Sequence, residues 1–249
     1  MSGHSKWNNI QHRKGAQDAK RAKLFTKFGR EIAVAAKEAG GDPNFNPRLR
    51  LAIEKAKAGN MPKDALERAI KKGTGELEGM EYVELRYEGY GPAGTAFIVD
   101  TLTDNKNRTA SEVRSTFTRR GGNLGTDGAV SWMFKRQGTI SIKAEGLDPD
   151  KVMMDALDAG ASDVKEADGY FEIITDPADF QSTLDALKAR GYAYEDAEIE
   201  LSAENKVPIS DLDTAKSVMG MYEALDDLDD VQTVWSNFDI PDDILEKLE

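Results

Sequence analysis

The spacing of apolar residues changes near Tyr82, and this change constrains the fold more than any other feature of the sequence. Before Tyr82, apolar residues recur three or four positions apart, which is typical of amphipathic helices. After it they alternate with polar residues or form β-branched runs, which is typical of strands. The pattern predicts a chain with both helices and sheets, of the α/β (α+β) class. An all-helical domain comes first, and domains that contain sheets follow it.

Three helices with short connections are predicted in the first domain, which we place at residues 1–77. The first follows apolar residues at helical spacing from about Asp18 to Ala39. The second begins with Asn46 as its N-cap and Pro47 as its first residue, and the third, which contains Pro62, ends at Gly73. Because none of these helices can bury its apolar face alone, we expect a small helical bundle.

The middle domain is predicted to be discontinuous. The segments "YVELRYE", "GTAFIVDTLT", "RTASEVRSTFTRRGG" and "AVSWMFK" read as ββαβ, with Thr109 and Glu112 matching a capping box at the start of the helix. This unit lacks a second helix and an edge strand, while the last long helix and strand of the chain have no partners of their own. We therefore assign residues 78–136 plus 206–249 to one domain. The alternative is three domains in simple chain order.

Residues 137–205 form a complete unit between the two parts of the middle domain. Strands and helices alternate there in the order βαββαβ, and both helices begin with Asp-Pro, at Asp148 and Asp176. This order is that of the ferredoxin-like split βαβ fold. The expected architecture is therefore an N-terminal helical bundle plus two ferredoxin-like α+β domains, the middle one discontinuous.

Charge is distributed unevenly along the chain. The formal net charge is −12, yet residues 1–72 carry 17 Lys and Arg against 7 acids, a net of +10. Residues 73–139 are nearly neutral, and residues 140–249 carry a net of −21. This asymmetry indicates a basic end that faces a polyanion and an acidic end that stays away from it.

The compartment is predicted to be cytoplasmic. The chain has no cysteine, which excludes disulfides and Cys-zinc sites, and it has no apolar run long enough to span a bilayer. We therefore expect no membrane partner. A basic, acid-poor N-terminus also occurs in organelle transit peptides, but Trp7 and the globular continuation favour the cytoplasmic interpretation.

Signals of enzymatic activity are weak. "GYGPAG", from Gly89 to Gly94, matches G-x-G-x-x-G, but a strand follows it where a dinucleotide site needs a helix, so we interpret it as a hairpin connection. His4 and His12 are the only histidines and lie in the basic N-terminal stretch, so a metal site or a nucleophilic triad is hard to assemble. We expect no catalytic residues, metal, cofactor or small-molecule substrate.

Basic side chains cluster between residues 6 and 30, and we predict that they bind nucleic acid. On a helical projection Lys20, Lys23 and Lys27 share one face, while apolar residues occupy another. Trp7 is available upstream to stack on a base. The predicted contact residues are Lys6, Trp7, His12, Arg13, Lys14, Lys20, Arg21, Lys23, Lys27 and Arg30, with a secondary cluster of Lys106, Arg108, Arg114, Arg119 and Arg120. The alternatives are an ordinary solvated helix face and, for the last two arginines, stabilisation of a helix C-terminus.

Five long segments match a known family: "GHSKWNNIQHRKGAQDAKRAKLFTKFGREI", "NPRLRLAIEKAKAGNMPKDALERAIKKG", "YEGYGPAGTAFIVDTLTDNKNRTASEVRSTF", "GGNLGTDGAVSWMF" and "LDDVQTVWSNFDIP". They resemble the YebC family of bacterial proteins, which has mitochondrial translational-activator relatives, and the resemblance spans essentially the whole chain. It implies a three-domain α/β architecture and a non-enzymatic regulator. Many members are described as DNA-binding transcriptional regulators, whereas others look like translation factors that help the ribosome through proline runs.

Three functions stay open at this point. The first is a DNA-binding transcriptional regulator, although no helix-turn-helix spacing stands out and the basic residues are mostly Lys, which suits phosphates better than bases. The second is a translation factor that binds ribosomal RNA through the basic stretch, which suits irregular RNA. The third is a protein-interaction module whose basic stretch binds an acidic surface. The expected partner is therefore DNA or ribosomal RNA on the ribosome, and the sequence does not specify an oligomeric state.

Overall fold

A computed structural model describes residues 18–167 and 169–248 of the chain. These residues divide into two compact units, of which the smaller is Met133–Asn205 and the larger contains the described residues on either side of it. The predicted boundary between the helical and middle domains falls inside the larger unit and stays a prediction. No helix in the described residues is long and apolar enough to cross a membrane.

Helices and strands follow in the predicted overall order. The helices are α1 Asp18–Ala39, α2 Pro47–Ala58, α3 Lys63–Gly73, α4 Lys106–Arg119, α5 Pro149–Ala159, α6 Phe180–Ala189, α7 Leu212–Asp226 and α8 Asp242–Leu245. The strands are β1 Val83–Tyr90, β2 Ala96–Thr103, β3 Asn123–Leu124, β4 Phe134–Lys143, β5 Asp163–Ala167, β6 Tyr170–Thr175, β7 Tyr194–Ala203, β8 Val207–Pro208, β9 Val231–Ser236 and β10 Phe238–Asp239. Short 3₁₀ turns lie at Pro92–Gly94, Ser131–Met133 and Glu246–Leu248.

Helices α1, α2 and α3 pack into the expected bundle. Asn46 caps α2, because its side-chain oxygen accepts a hydrogen bond from the backbone N–H of Leu49 at 3.0 Å, and Pro47 takes the first helical position. Leu49 itself is fully buried, and such burial contributes about 1.5–3 kcal/mol. Gly73 lets α3 approach α1 closely, since a Cβ atom there would lie 2.3 Å from the carbonyl oxygen of Ala33.

The main sheet of the larger unit has the order β3-β1-β2-β9, and every neighbouring pair is antiparallel. In a ferredoxin-like fold, strands numbered along the chain lie across the sheet in the order 4-1-3-2. Starting from its β9 edge, this sheet has that arrangement, with β9, β2, β1 and β3 in the places of strands 4, 1, 3 and 2. The strand in the place of strand 3, β1, comes first in this chain. Because β9 lies beside β2, the C-terminal segment supplies the helix and edge strand that the ββαβ segment lacks. Helices α4 and α7 pack against the sheet, where Phe97, Phe117 and Val218 are fully buried.

The glycine-rich segment Gly89–Gly94 connects β1 to β2 through a short 3₁₀ turn. The predicted hairpin connection is therefore confirmed, and the next element is a strand, as expected. Gly91 is needed at this corner because a Cβ atom would lie 2.5 Å from the ring of Phe97. The segment does not present a helix N-terminus to a pyrophosphate, which a dinucleotide site requires.

The strand predicted in "AVSWMFK" is partly wrong. Ser131–Met133 forms a 3₁₀ turn, β4 begins only at Phe134, and the strand that pairs with β1 is Asn123–Leu124. The cause is Glu88, whose carboxylate accepts hydrogen bonds from the backbone N–H groups of residues 128, 130 and 131. Those donors are therefore unavailable to a sheet.

The capping box predicted at Thr109 and Glu112 is also wrong. Helix α4 begins one turn earlier, where the side chain of Asn105 accepts a hydrogen bond from the backbone N–H of Arg108 at 3.1 Å. Thr109 lies inside the helix and is buried, and its hydroxyl donates to Oδ2 of Asp230 at 2.7 Å. Asn is at least as good an N-cap as Thr, so the earlier residue starts the helix.

The smaller unit has the predicted βαββαβ order. The predicted start of its second helix at Asp176-Pro177 is wrong, because Oδ1 of Asp176 accepts a hydrogen bond from the N–H of Ala178 at 3.0 Å in a turn, and α6 begins only at Phe180. Its sheet runs β5-β6-β4-β7 with antiparallel neighbours, which is the ferredoxin-like arrangement. Asp148 caps α5 by accepting a hydrogen bond from the N–H of Asp150 at 3.1 Å. Gly138 in β4 leaves room for α6, since a Cβ atom there would lie 2.5 Å from the ring of Phe180.

Glu200 makes the stability of the smaller unit depend on pH. Its side chain is buried and accepts a hydrogen bond from Thr139 at 2.7 Å, yet burial raises its pKa above the ordinary value of 4.5. The folded state then holds the proton more tightly than the unfolded chain does, so stability falls as the pH rises above that value. We expect Glu200→Gln to stabilise the full-length protein against urea at about pH 8, with the gain disappearing towards about pH 4. The exposed Glu204→Gln is the control, and an equal gain from Glu200→Gln at both pH values would contradict the assignment.

Candidate nucleic-acid interface

Part of the predicted interface lies outside the described residues. This part contains Lys6, Trp7, His12, Arg13 and Lys14. Lys20 belongs to α1, but its side chain is likewise outside what the structure describes. Arg21 is exposed, and within the described residues it forms no ion pair.

Lys23 and Lys27 contact the acidic end of α7. Nζ of Lys27 lies 2.7 Å from Oδ1 of Asp226, and Nζ of Lys23 lies 3.2 Å from Oδ1 of Asp227. Each ammonium group also donates to the backbone carbonyl of the same aspartate, where a helix C-terminus has unpaired acceptors. The side chains of Lys23 and Lys27 are only 25% and 13% exposed, because α1 packs with this face towards α7.

Arg30 is held by contacts to three different segments. Its guanidinium donates to Oδ1 of Asp230 at 3.1 Å and to the carbonyl of Leu102 at 3.4 Å. It also lies over the ring of Tyr82, 5.5 Å from the ring centroid, which is a cation–π geometry. Arg30 therefore ties α1 to β2 and to the turn between α7 and β9.

Asp230 binds one arginine from each of the two predicted groups of contact residues, Arg30 from the basic stretch at residues 6–30 and Arg108 from the secondary cluster. Its side chain is 1% exposed, and its carboxylate accepts hydrogen bonds from Arg30 at 3.1 Å and from Arg108 at 2.7 Å. It also accepts from the hydroxyl groups of Thr109 at 2.7 Å and Thr103 at 3.1 Å. Burial alone would raise the pKa of Asp230, but the hydrogen bonds from Arg108 and the two threonines outweigh burial and hold this pKa below its ordinary value. Asp230 is therefore an ionised, buried carboxylate that positions two arginines.

The rest of the secondary cluster forms no ion pair with any residue that the structure describes. Its members are Lys106, Arg114, Arg119 and Arg120, which lie along α4 or directly after it. All four are exposed, and none lies within 4.0 Å of a carboxylate oxygen in the part of the chain that the structure covers. These side chains are therefore available to an anionic ligand, whereas Arg108 is held by Asp230 and Asp104.

The helical bundle carries further exposed cations that sequence reasoning did not single out. Lys57 lies in the last turn of α2, and Lys71 and Lys72 lie in the last turn of α3. All three are exposed and form no ion pair with any described residue. Basic residues in a last turn are favoured by the helix dipole, so their spacing alone did not distinguish them from ordinary helix ends.

Two family models match most of the chain. The model described as the TACO1/YebC protein N-terminal domain matches residues 5–76, and the model described as the TACO1/YebC second and third domain matches residues 82–238. The chain belongs to the TACO1/YebC family. The resemblance found in the sequence is thereby confirmed.

Other members of the TACO1/YebC family align over the full length. A protein from Fusobacterium nucleatum subsp. nucleatum is 73% identical, and one from Geobacter sulfurreducens is 53% identical, with 100% of both chains covered in each case. Each is named "Probable transcriptional regulatory protein". A conserved hypothetical protein from Aquifex aeolicus is 47% identical in sequence. Its crystal structure superposes on this one with a TM-score of 0.84, and the match covers 95% of this chain and 97% of that chain. The α/β fold of this TACO1/YebC protein is therefore also that of a solved structure.

The exposed ammonium and guanidinium groups of this TACO1/YebC protein have the chemistry that anion binding requires. Ammonium and guanidinium groups form charge-assisted hydrogen bonds with phosphate and carboxylate oxygens. Within residues 18–167 and 169–248, no group of three or more His, Asp or Glu side chains is placed to hold a metal ion.

Proposed function

We propose that the protein is a non-enzymatic, nucleic-acid-binding regulator of gene expression. The observation that carries this is a set of exposed cations without a carboxylate partner among the described residues: Arg21, Lys57, Lys71, Lys72, Lys106, Arg114, Arg119 and Arg120. In a chain with a net charge of −12, acids are abundant, so leaving these groups unpaired favours an external anion. Phosphate oxygens account for half or more of the hydrogen bonds in protein–DNA interfaces, and these groups suit them.

Lys23 and Lys27 belong to the proposed surface although each is paired. The side chains of Asp226 and Asp227 are 47% and 80% exposed. The side chains of Lys27 and Lys23 are 13% and 25% exposed, so water reaches each pair mainly from the side of the aspartate. Ion pairs with one partner open to water contribute about 0–1 kcal/mol, because water screens them. A nucleic-acid phosphate can therefore replace either aspartate with little loss of stability.

Arg30 and Arg108 have a different role in this proposal. Both donate to Asp230, which is buried, and removing one partner of a buried ion pair typically costs about 3–5 kcal/mol. A phosphate that took either arginine away would leave this carboxylate uncompensated. We therefore assign the two arginines to positioning α1 and α4 rather than to phosphate contacts.

The relatives and the geometry favour different nucleic acids. The name that the relatives carry favours a DNA-binding transcriptional regulator, which is the first form of the proposal. The surroundings of α1, the described helix with the most Lys and Arg residues, favour the second form, a translation factor that binds ribosomal RNA. Its apolar face packs on α2 and α3 and its lysines contact α7, so α1 cannot enter a major groove without detaching. Irregular RNA can meet dispersed cations without helix insertion.

Parallel binding experiments distinguish these forms. The full-length protein is sedimented with ribosomes at about 50 mM salt and is also titrated with a promoter-containing duplex and a shuffled duplex of equal length. Co-sedimentation that is lost on deleting residues 2–17, which leaves α1 intact, supports the ribosomal form. Preference for the promoter duplex supports the transcriptional form, and equal affinity for both duplexes contradicts it. Absence of affinity for every nucleic acid contradicts the proposed function and leaves the protein-interaction module.

A further inference from the structure

Helix α5 of the smaller unit exposes large apolar side chains on the face that points away from its own core. Val152 and Ala156 of this helix are buried, whereas Met153, Met154 and Leu157 are 46%, 67% and 49% exposed. Residues three or four positions apart share a helix face, so the three exposed side chains lie side by side within about one turn. They form one continuous apolar surface, which we call the α5 patch.

The other helix of the same unit has no such surface. Helix α6 buries all of its large apolar side chains, Phe180, Leu184 and Leu187, and its exposed positions carry only small or polar residues. Among the described residues nine large apolar side chains are exposed, and three of these lie in the 11 residues of α5. Single exposed apolar residues are ordinary, but a contiguous group marks an interaction surface. The α5 patch therefore indicates a place where another molecule docks.

Two acids flank the α5 patch. Asp150 and Asp158 lie one turn before and one turn after Met154, on the same helix face. Both are exposed, and neither forms an ion pair with a described residue. A further acid of the helix, Asp155, is used inside the unit, where its carboxylate lies 3.0 Å from the guanidinium of Arg190. The patch is therefore apolar at its centre and carries two available negative charges at its ends.

The whole smaller unit is acidic. Met133–Asn205 contains 7 Lys and Arg against 17 Asp and Glu, a net charge of −10, and Lys151 is the only cation of α5. A surface of this charge repels the phosphates of nucleic acids and of anionic membranes, and it repels a second copy of itself. A cationic partner, in contrast, covers the apolar side chains and neutralises the acids at the same time. Charge complementarity thus selects a basic protein as the occupant.

The shape of the patch favours a helical partner. Apolar side chains at helical spacing form a ridge that packs into the grooves of a second helix. Amphipathic helices are a common way of recognising such surfaces, with apolar anchors at three- and four-residue spacing. Two of the three apolar residues are methionines, whose flexible side chains adapt to a partner and are frequent at binding surfaces.

We propose that the α5 patch docks a basic amphipathic helix of another protein. Met153, Met154 and Leu157 cover the apolar face of that helix, and Asp150 and Asp158 bind its Lys or Arg side chains. The inference goes beyond nucleic-acid binding and gives the acidic smaller unit a role of its own. None of the exposed cations on which the proposed function depends lies in this unit, so either proposal can fail without the other.

Peptide titrations test the docking surface. The probe is a fluorescein-labelled 18-residue helical peptide with leucines at three- and four-residue spacing and lysines at the remaining positions. Fluorescence anisotropy follows its binding to the full-length protein at about 50 mM salt. One control peptide has the same composition in an order that gives no apolar face, and the other has glutamate in place of lysine. We expect saturable binding of the probe and binding at least about tenfold weaker for each control, as expected when an interface anchor is lost.

Variants of the apolar residues show where the probe binds. Met154→Gln combined with Leu157→Gln removes most of the patch and should weaken binding by roughly tenfold, whereas Met154→Leu keeps an apolar side chain and should retain the affinity. The matched control is Leu77→Gln combined with Met80→Gln in the larger unit. Those two side chains are 41% and 67% exposed and are also three positions apart, and their replacement should leave binding unchanged. All four side chains are exposed, so neither double variant removes a core contact.

Variants of the acids test the charge complementarity. Asp150→Asn combined with Asp158→Asn should weaken binding at about 50 mM salt and make it less dependent on salt. Asp127→Asn combined with Asp213→Asn changes the net charge equally at two exposed positions of the larger unit and should have little effect. Absence of saturable probe binding overturns the inference, and so does an equal loss of affinity in the two apolar double variants. Neither result bears on nucleic-acid binding, which is measured with ribosomes and duplexes.

Discussion

Replacing Asp230 with alanine is expected to lower the free energy of unfolding by about 3 kcal/mol. The substitution leaves Arg30 and Arg108 without their shared carboxylate and leaves the buried hydroxyls of Thr103 and Thr109 without an acceptor. Breaking a buried pair typically costs about 3–5 kcal/mol, and the lower end applies here because Arg108 is partly solvated. Guanidinium unfolding of the full-length protein, followed by far-ultraviolet circular dichroism, measures the loss.

The neighbouring Asp229 provides the matched control. Its side chain is exposed, and only its backbone carbonyl accepts from Arg30, so Asp229→Ala should stay within about 0.5 kcal/mol of the parent protein. Equal losses in the two variants would contradict the special role of Asp230.

The pH dependence of the Asp230 effect provides a second check. The pKa of Asp230 is held below the ordinary value of 3.8, so its carboxylate stabilises the fold above that value. This stabilisation is lost as the pH falls through the lower, folded-state pKa. The difference between the parent protein and Asp230→Asn should therefore be full at about pH 7 and shrink below about pH 4. A difference that stays constant over this range would contradict an ionised Asp230.

Sequence patterns predicted the elements whose signals are local. Asn46-Pro47 starts α2, and Asp148-Pro149 starts α5, because a cap and a proline act within one turn of chain. The insert was also predictable, since its six elements alternate in the order of one known fold. The pairing of the C-terminal strand with the earlier ββαβ segment was predictable for another reason. The last long helix and strand had apolar faces without a partner, and the ββαβ segment lacked a helix and an edge strand. That prediction depends on the need to bury apolar faces rather than on a local signal.

The local predictions that failed were overridden by contacts distant in sequence. Val130 and Ser131 have the composition of a strand, but Glu88 captures their backbone donors from 42 and 43 positions away. Thr109 has the pattern of a cap, but its hydroxyl is used by Asp230, 121 positions along the chain. Neither carboxylate is distinguishable by composition in a chain with 45 acids.

The candidate site shows the same division. A helical projection placed Lys23 and Lys27 on one face of α1, and both do contact the same end of α7. The projection could not identify the partner of that face. The charge asymmetry suggested that the acidic end stays away from the basic end's ligand. Instead, Asp226 and Asp227 are that face's partners, about 200 positions away. Only the tertiary structure, which packs α7 against the main sheet, brings these charges together.

Binding to nucleic acid is expected to weaken roughly a thousandfold between about 50 and 200 mM salt, if six to eight phosphates are neutralised. Each lost phosphate contact lowers the slope of log affinity against log salt by about one. Lys23→Gln combined with Lys27→Gln should therefore reduce the slope by about two. Lys151→Gln, an exposed lysine in the smaller unit, is the control and should leave the slope unchanged.

Replacing the two aspartates instead of the two lysines provides a second test, because the expected change in affinity has the opposite sign. Asp226→Asn combined with Asp227→Asn removes the acids that compete with phosphate for the two lysines, so affinity at about 50 mM salt should rise. The aspartates of both ion pairs are open to solvent although the lysines are mostly covered, and such pairs contribute about 0–1 kcal/mol each, so neither double variant should unfold the protein. If the lysines served only to hold α1 against α7, the lysine variant would leave the slope unchanged and the aspartate variant would not bind more tightly. A gain in affinity from losing acids together with a loss of slope from losing lysines is the result expected if phosphate takes the place of Asp226 and Asp227.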